Sequence, residues 1–372
     1  MIGFLLYLAT VYHIPHLLYL VPFIILFILN FKKINFDYRK IKINYLIIFI
    51  IVGLSVLNIL LSKNSRLIDY VPYTILMIPG YFIAQHLKKK DLKIIVLFIL
   101  FESLVSIIEY VLGISTIFYK SDFYTKYNAG DFFYFTRTYG LSSNSSVLAL
   151  KLFLAILIID YFDLFKKFKV PIILGLLFGI LFTFSRTIIV VLAFYYVMRF
   201  VSFLIKTIAN PNQKFKLSEY YYFATFAVFF LSIFISINLS KHSFYDQMTR
   251  GKNHVELSGR EVIWPQFINK IKSDFVFGNH SKKYLADYHG EKNIIHAHNS
   301  FLQVLANNGI IIFIFFILLL VININRYNIL YILSLTLYSM TQYGYFWGIS
   351  LTDIILFLFF IYNNQTVKEE LK

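Results

Sequence analysis

The feature that most constrains this chain is a series of apolar runs, most of them near the roughly 20 residues that an α-helix needs to cross a bilayer. They lie at about 10–30, 43–61, 70–87, 94–114, 147–164, 170–184, 188–206, 219–237, 309–325, 328–346 and 349–363, about eleven spans in all. Composition agrees: 59% of the residues are hydrophobic, the mean hydropathy is +0.69 and 15% are charged, against about 25% charged in a soluble domain. The predicted fold is therefore an all-α polytopic membrane protein of about 11–12 transmembrane helices, one membrane domain over residues 1–372. The count turns on residues 2–30, where His13-Ile14-Pro15-His16 can break the run into two short helices. At about 1.5 Å per residue these would be too short for two full crossings. No basic segment precedes the first apolar run, so the first span would itself direct insertion.

Charge gives the orientation. Lys32, Lys33, Arg39, Lys40 and Lys42 fall in one loop, Lys88, Lys89, Lys90 and Lys93 in another, then Lys166, Lys167 and Lys169, then Lys206, Lys214 and Lys216. Each set occupies every second loop, which places those loops in the cytoplasm by the positive-inside rule. Lys368 and Lys372 fall on the same side. The intervening loops then face outward: 62–69, 115–146, the turn Ser185-Arg186-Thr187, the long segment 238–308 and 345–349. Loops beyond about 60 residues translocate largely regardless of charge, so the lysines of the long one do not break the rule. The net charge of +16 is accounted for in this way. A nucleic-acid partner is not expected, because no basic, aromatic-interleaved soluble module exists. The absence of cysteine excludes disulfides, thiolate metal sites and a cysteine nucleophile.

Polar chemistry concentrates in the outer loops, above all in the candidate catalytic loop 238–308. Arg186 lies between two apolar segments with almost no loop, at or inside the outer interface. Arginine is costly there, but it stays charged and grips phosphate bidentately. Arg260 follows Gly259, which permits a tight turn or close backbone approach, and opens an amphipathic helix over 258–272 with Val262, Ile263, Phe267 and Ile271 at helical spacing. A second basic group next to Arg186 would make a two-pronged diphosphate clamp. Trp264 suits a membrane interface. Arg137, in Thr136-Arg137-Thr138-Tyr139-Gly140 ahead of Asn144, is a third outer arginine. Asn299 or Ser300 can cap a helix that starts near residue 300.

His296 and His298 share a face only if their stretch is extended. With His289 or Asp287 they could ligate zinc. The reading preferred here is metal-free, with one histidine as general base at a helix start, since an imidazole near pKa 6.5 suits proton removal at neutral pH. Ser258 and Ser300 lack a nucleophile-elbow setting. No phosphate-binding glycine loop or calcium loop is present, and no cofactor is implied.

Taken in order, Arg137-x-x-Gly140 with Asn144, Ser185-Arg186-Thr187, Ser258-Gly259-Arg260-x-x-x-Trp264, Phe277-Gly278 and His298-Asn299-Ser300-Phe301-Leu302 up to Gly309 resemble the O-antigen ligase / O-antigen polymerase superfamily. The resemblance covers roughly residues 130–325. Where the family often has a proline and a second glycine near Phe277-Gly278, this chain has Asp274 and Asn279-His280. The resemblance implies a GT-C-like, metal-independent glycosyltransferase of the cytoplasmic (inner) membrane with its site on the outer face. Its donor would be a glycan on undecaprenyl diphosphate. Arg186 and Arg260 would hold the diphosphate with Arg137 as a further substrate-binding arginine, His298 would be the base, and Asn299, Trp264 and His296 would support it.

The expected activity is polymerisation of lipid-linked repeat units into O-antigen or capsular polysaccharide. The alternative is an O-antigen ligase that delivers the glycan to lipid A-core. A lipid-linked oligosaccharide flippase or transporter is a third reading, disfavoured because such proteins show repeated halves and mid-membrane sites. Partners would be the donor and acceptor lipid-linked glycans, the bilayer, and a chain-length regulator and flippase.

Overall fold

The computed structural model describes residues 1–30, 43–62, 72–118, 137–209, 227, 259–287, 294–346 and 348–362. The expected span at 219–237 lies outside these residues except for residue 227, as does His289. The described chain is helical: α1 Ile2–Leu8, α2 Leu20–Asn30, α3 Ile43–Leu60, α4 Met77–His86, α5 Lys89–Val111, α6 Ser145–Tyr161, α7 Lys169–Thr183, α8 Arg186–Ala209, α9 Arg260–Ser273, α10 Ser300–Val321, α11 Ile329–Ser339 and α12 Leu351–Ile361. A two-residue antiparallel pair, β1 Ala286–Asp287 with β2 Ile294–Ile295, is the sheet among the described residues. Among the described residues four helices are long and apolar enough to cross a membrane: Ile43–Leu60, Lys89–Val111, Arg186–Ile205 and Ser300–Val321. The protein is an all-α polytopic membrane protein.

The core sits around α6 and α12. Both carry apolar side chains around their whole circumference and are buried on nearly every residue, the pattern of a helix enclosed by other helices, with Lys151, Asp160 and Asp353 as buried polar exceptions. Around them the remaining helices bury one face and leave large apolar side chains such as Leu57, Phe101, Ile108 and Ile314 exposed, as a lipid-facing surface requires.

Several boundaries differ from the sequence expectation, each for a physical reason. Residues 2–30 do split, with His13 in the left-handed region (φ 67°) and a 3-10 turn at His16–Tyr19 after Pro15. Arg186 is the first residue of α8, not part of a turn; the reversal is made by Phe184 (φ 47°) just before it. The run expected at 309–325 begins at Ser300 and passes through a break at Gly309 (φ 74°, ψ 177°). Residues 275–281 fill that break: Ile310 N–H donates to the Phe275 carbonyl (2.9 Å) and Asn279 N–H to that of Ala306 (2.8 Å). A Cβ at Gly309 would come within 1.9 Å of the Val276 oxygen, so only glycine fits. Finally, the run expected at 328–346 stops as a helix at Ser339. The residues after it form the floor of the candidate site.

The helices alternate between two ends. At one end the Asp160 carboxylate gathers Lys169 (3.2 Å), Arg199, Tyr195 and Tyr331 (2.8 Å). At the other lie the starts of α6, α8 and α10 and the ends of α3, α5, α7 and α11. Links such as the Tyr338 hydroxyl to the Ser146 carbonyl (3.4 Å) and Asn58 Nδ2 to the Phe277 carbonyl (2.9 Å) join them.

Candidate active site

The chain after α11 turns through Met340, Thr341 and Gln342, and three candidate residues from remote parts of the sequence dock on it in succession. Asn299 Nδ2 donates to the Met340 carbonyl at 2.9 Å. Arg260 donates to the Thr341 carbonyl through Nε at 3.2 Å and Nη2 at 2.6 Å. His298 Nδ1 meets Gln342 Oε1 at 3.1 Å. Ser300 then receives Gly344 N–H (3.0 Å) and Tyr345 N–H (3.3 Å) on its hydroxyl. The turn thus ties the start of α9 to the start of α10.

Local sequence explains how each side chain arrives. Gly259 adopts φ 81°, a conformation that admits glycine freely, and α9 begins at the next residue, Arg260. One face of α9 buries Ile263 and Phe267 against Ala286, Ala297 and Ala306, with Trp264 packed beside them. Trp264 Nε1 donates to the Ala297 carbonyl at 2.8 Å, so this tryptophan holds the histidine segment. From α10, the buried Gln303 completes the grip: Oε1 accepts Ala297 N–H (3.0 Å) while Nε2 donates to the Tyr284 carbonyl (2.7 Å). Asn299 caps α10 by accepting Phe301 N–H and Leu302 N–H at 2.9 and 3.0 Å. Between these fixed points His298 takes φ 48°, an uncommon conformation for a side-chain-bearing residue. The stretch is therefore not extended at His298, and the alternation of His296 and His298 on one face does not arise. The ring of His296 instead packs edge-on against Tyr343, centroids 5.6 Å apart.

The electrostatics follow from burial among cations. Burial and then the Arg260 guanidinium push the His298 imidazole below its ordinary pKa, while the contact with Gln342 acts the other way. Burial, Lys283 and His298 bring His296 down to about 4. Both imidazoles are thus pushed towards their uncharged form, His298 by burial and the Arg260 guanidinium beside it and His296 by burial and Lys283. Among the described residues no group of three His, Asp or Glu side chains is disposed to hold a metal ion. Asp287, one donor considered for zinc, sits in the small hairpin, where its N–H bonds to Gln266 Oε1 at 3.0 Å.

Arg137 and Arg186 form a second group at the same end. Thr138 N–H donates to the Phe182 carbonyl at 3.2 Å, which brings Arg137 beside the end of α7, four residues before Arg186. Two glutamates on α5, absent from the sequence expectation, fix this segment. Glu109 Oε2 accepts Tyr139 N–H and Gly140 N–H at 3.1 and 2.8 Å. Glu102 Oε1 accepts Leu141 N–H (3.1 Å), the Ser142 hydroxyl (2.7 Å) and Lys151 Nζ (2.6 Å). The level of Arg186 follows from α8 and α11, which pack antiparallel with Tyr195 and Tyr331 rings 6.0 Å apart. Arg186 is nine residues before Tyr195 and Met340 nine after Tyr331, so at about 1.5 Å per residue both lie about 13 Å along the same direction.

These features define a class: a multi-helix membrane protein with a cationic, imidazole-bearing polar site at one end of its bundle. Residues 171–317 match the family model described as O-antigen ligase. Over these residues the chain is similar to that family, which is consistent with a place in the O-antigen ligase/polymerase superfamily. The match includes Arg186, Arg260, Trp264, His296, His298 and Asn299; Arg137 and the 340–342 turn lie beyond it. No curated protein and no solved structure matches the chain.

Proposed function

We propose that this protein is a metal-independent glycosyltransferase that polymerises undecaprenyl-diphosphate-linked repeat units on the outer face of the cytoplasmic membrane. The observation that carries this is the docking of Arg260 and a part-buried His298 on one turn, with the imidazole held below its ordinary pKa. His298 takes the proton of the acceptor hydroxyl. The hydroxyl oxygen bonds to the donor's anomeric carbon as the bond from that carbon to the diphosphate breaks, and the electron pair leaves with the diphosphate. Arg260 and Arg186 stabilise the charge that grows there, with Arg137 binding substrate alongside. Asn299, Trp264 and His296 hold the base and its loop. A diphosphate is already a good leaving group, so no nucleotide is needed. The loss of one charge-stabilising donor in such a site costs about 10²–10³ in rate, and a positioned base contributes about 10²–10⁴. A chain-length regulator and a flippase would act on the same lipid-linked glycans.

The test is elongation of lipid-linked repeat units by purified protein in lipid. H298A should make no polymer while remaining folded; wild-type chain lengths in that variant would defeat the assignment. A ligase reading draws support from the description of the matching family. Glycan transfer to lipid A-core without elongation would establish it instead, and movement of repeat units without any transfer would favour a flippase.

A further inference from the structure

Resting on that reading, we propose that Gln342 is the positioning residue for the base, fixing Nδ1 of His298 as the protonated nitrogen and leaving Nε2 as the one that takes the acceptor's proton. An amide oxygen only accepts, and Gln342 Oε1 lies 3.1 Å from His298 Nδ1. The hydrogen is therefore on Nδ1, and the lone pair on Nε2, as in sites where a partner on one ring nitrogen selects the tautomer. The glutamine is well placed to do this alone. Its own backbone is secured independently, with its N–H on the Tyr338 carbonyl at 2.9 Å and its carbonyl accepting Gly344 N–H at 3.0 Å. The turn around it is held by Asn299, Arg260 and Ser300. The Gln342 side chain can change without removing what shapes the turn.

A neutral partner also suits this site. The charged and titratable groups around His298 are Arg260 from α9, His296 along the chain, Lys283 from the strand-bearing segment acting on His296, and Tyr338 on α11 near Arg260. Among the described residues these include cations, and no carboxylate acts on either imidazole. A carboxylate in place of the amide would hold the imidazole in its protonated, non-basic form to a higher pH. The amide orients the ring without doing so, which keeps it basic beside a diphosphate-binding arginine.

The experiment uses the full chain in lipid nanodiscs, with undecaprenyl-diphosphate-linked repeat unit extracted from the source membrane as probe. In Q342L the elongation rate should fall about 10- to 100-fold, part of what a positioned base contributes, with KM for the lipid-linked unit unchanged. In Q342E a near-isosteric side chain keeps the acceptor and adds a charge, so the acid limb of the rate profile should move up by about one to three pH units. A structural role alone would not move that limb. ¹⁵N-histidine NMR, with H298A as the difference reference, should show Nδ1 protonated and Nε2 unprotonated at neutral pH, a readout independent of turnover and of how any Gln342 variant folds. An Nε2–H tautomer in the wild type, or an unmoved acid limb in folded Q342E while H298A is inactive, overturns the role of Gln342 alone. Normal elongation by H298A overturns the underlying reading instead.

Discussion

Replacing Glu102 by glutamine should destabilise the protein out of proportion to its small change in shape. The carboxylate is fully buried and its partner Lys151 is 4% exposed. Oε1 accepts from Lys151, Leu141 and Ser142, and Oε2 from the Tyr7 hydroxyl (3.1 Å). A glutamine with its oxygen at the Oε1 position keeps the first three bonds, and its amide can donate to the Tyr7 oxygen. What it removes is the charge that compensates Lys151. Removing one partner of a buried ion pair typically costs about 3–5 kcal/mol, whereas the loss of one neutral hydrogen bond costs about 1 kcal/mol. E102Q should therefore lose about 3–5 kcal/mol. In E102Q/K151M no charge is stranded, and the loss should shrink to about 1 kcal/mol. The recovery of the double variant relative to E102Q, about 2–4 kcal/mol by difference, is measurable by equilibrium unfolding of the three proteins in mixed micelles. If the double variant is no more stable than E102Q, the ion pair is not what holds α5 to α6.

The pH dependence of elongation has a definite sign. His298 lies below its ordinary pKa and is competent as a base only when uncharged, so the rate should persist as pH falls through 6.5, the ordinary histidine value, and decline only at lower pH. An acid limb centred at or above that value in the rate profile would contradict the environment described for it. N299A should lose about 1 kcal/mol for the α10 cap and about 1 kcal/mol for the bond to Met340. N299D keeps the cap and loses the bond to Met340, so its unfolding free energy should fall between the other two; equality with wild type would show that the link contributes nothing. Elongation should be insensitive to EDTA, and inhibition reversed by zinc would revive a metal reading.

What the sequence made legible is what rests on local pattern. The apolar periods located the helices, the spacing of Ile263, Phe267 and Ile271 located α9, and Asn299 marked the start of α10. The short motifs named the residues that meet at the turn. The turn itself was hidden, because Tyr343, Tyr345 and Phe346 extend the apolar run past Ser339 and make it look like one more span. Nor does any period reveal that Glu102 and Glu109 would turn inward to bind four consecutive residues, 139 to 142. Those bonds join side chains to three backbone groups and one hydroxyl some thirty to forty residues away. The departure at Asp274 is informative in the opposite sense. Its carboxylate accepts Phe277 N–H (3.2 Å) and its carbonyl accepts Gly278 N–H (2.8 Å), so the aspartate itself forms the turn that leads into Gly278.

The position of the site follows from the shortness of two helices. α11 has 11 residues, about 16 Å, roughly half a bilayer's hydrocarbon thickness, and α12 restarts only at Leu351. The described residues between them are irregular, and from Gly344 to Ile349 they are buried, with Tyr345 and Phe346 almost wholly enclosed. Irregular backbone in apolar surroundings is tolerated only where other groups satisfy it, and the last carbonyls of a helix lack partners within it. Here Asn299 and Arg260 supply donors to Met340 and Thr341, Ser300 accepts from Gly344 and Tyr345, and Asp353 Oδ1 accepts Phe346 N–H at 2.6 Å. The negative end of α11 also favours a cation, so the need to complete a truncated helix and the need to hold a guanidinium are met by the same bond. That coupling explains how an apolar bundle can fix an arginine, and the histidine beside it, at one end of its helices. It also means that lengthening α11 by one turn should displace Arg260 and His298 together, abolishing elongation while the other helices still form.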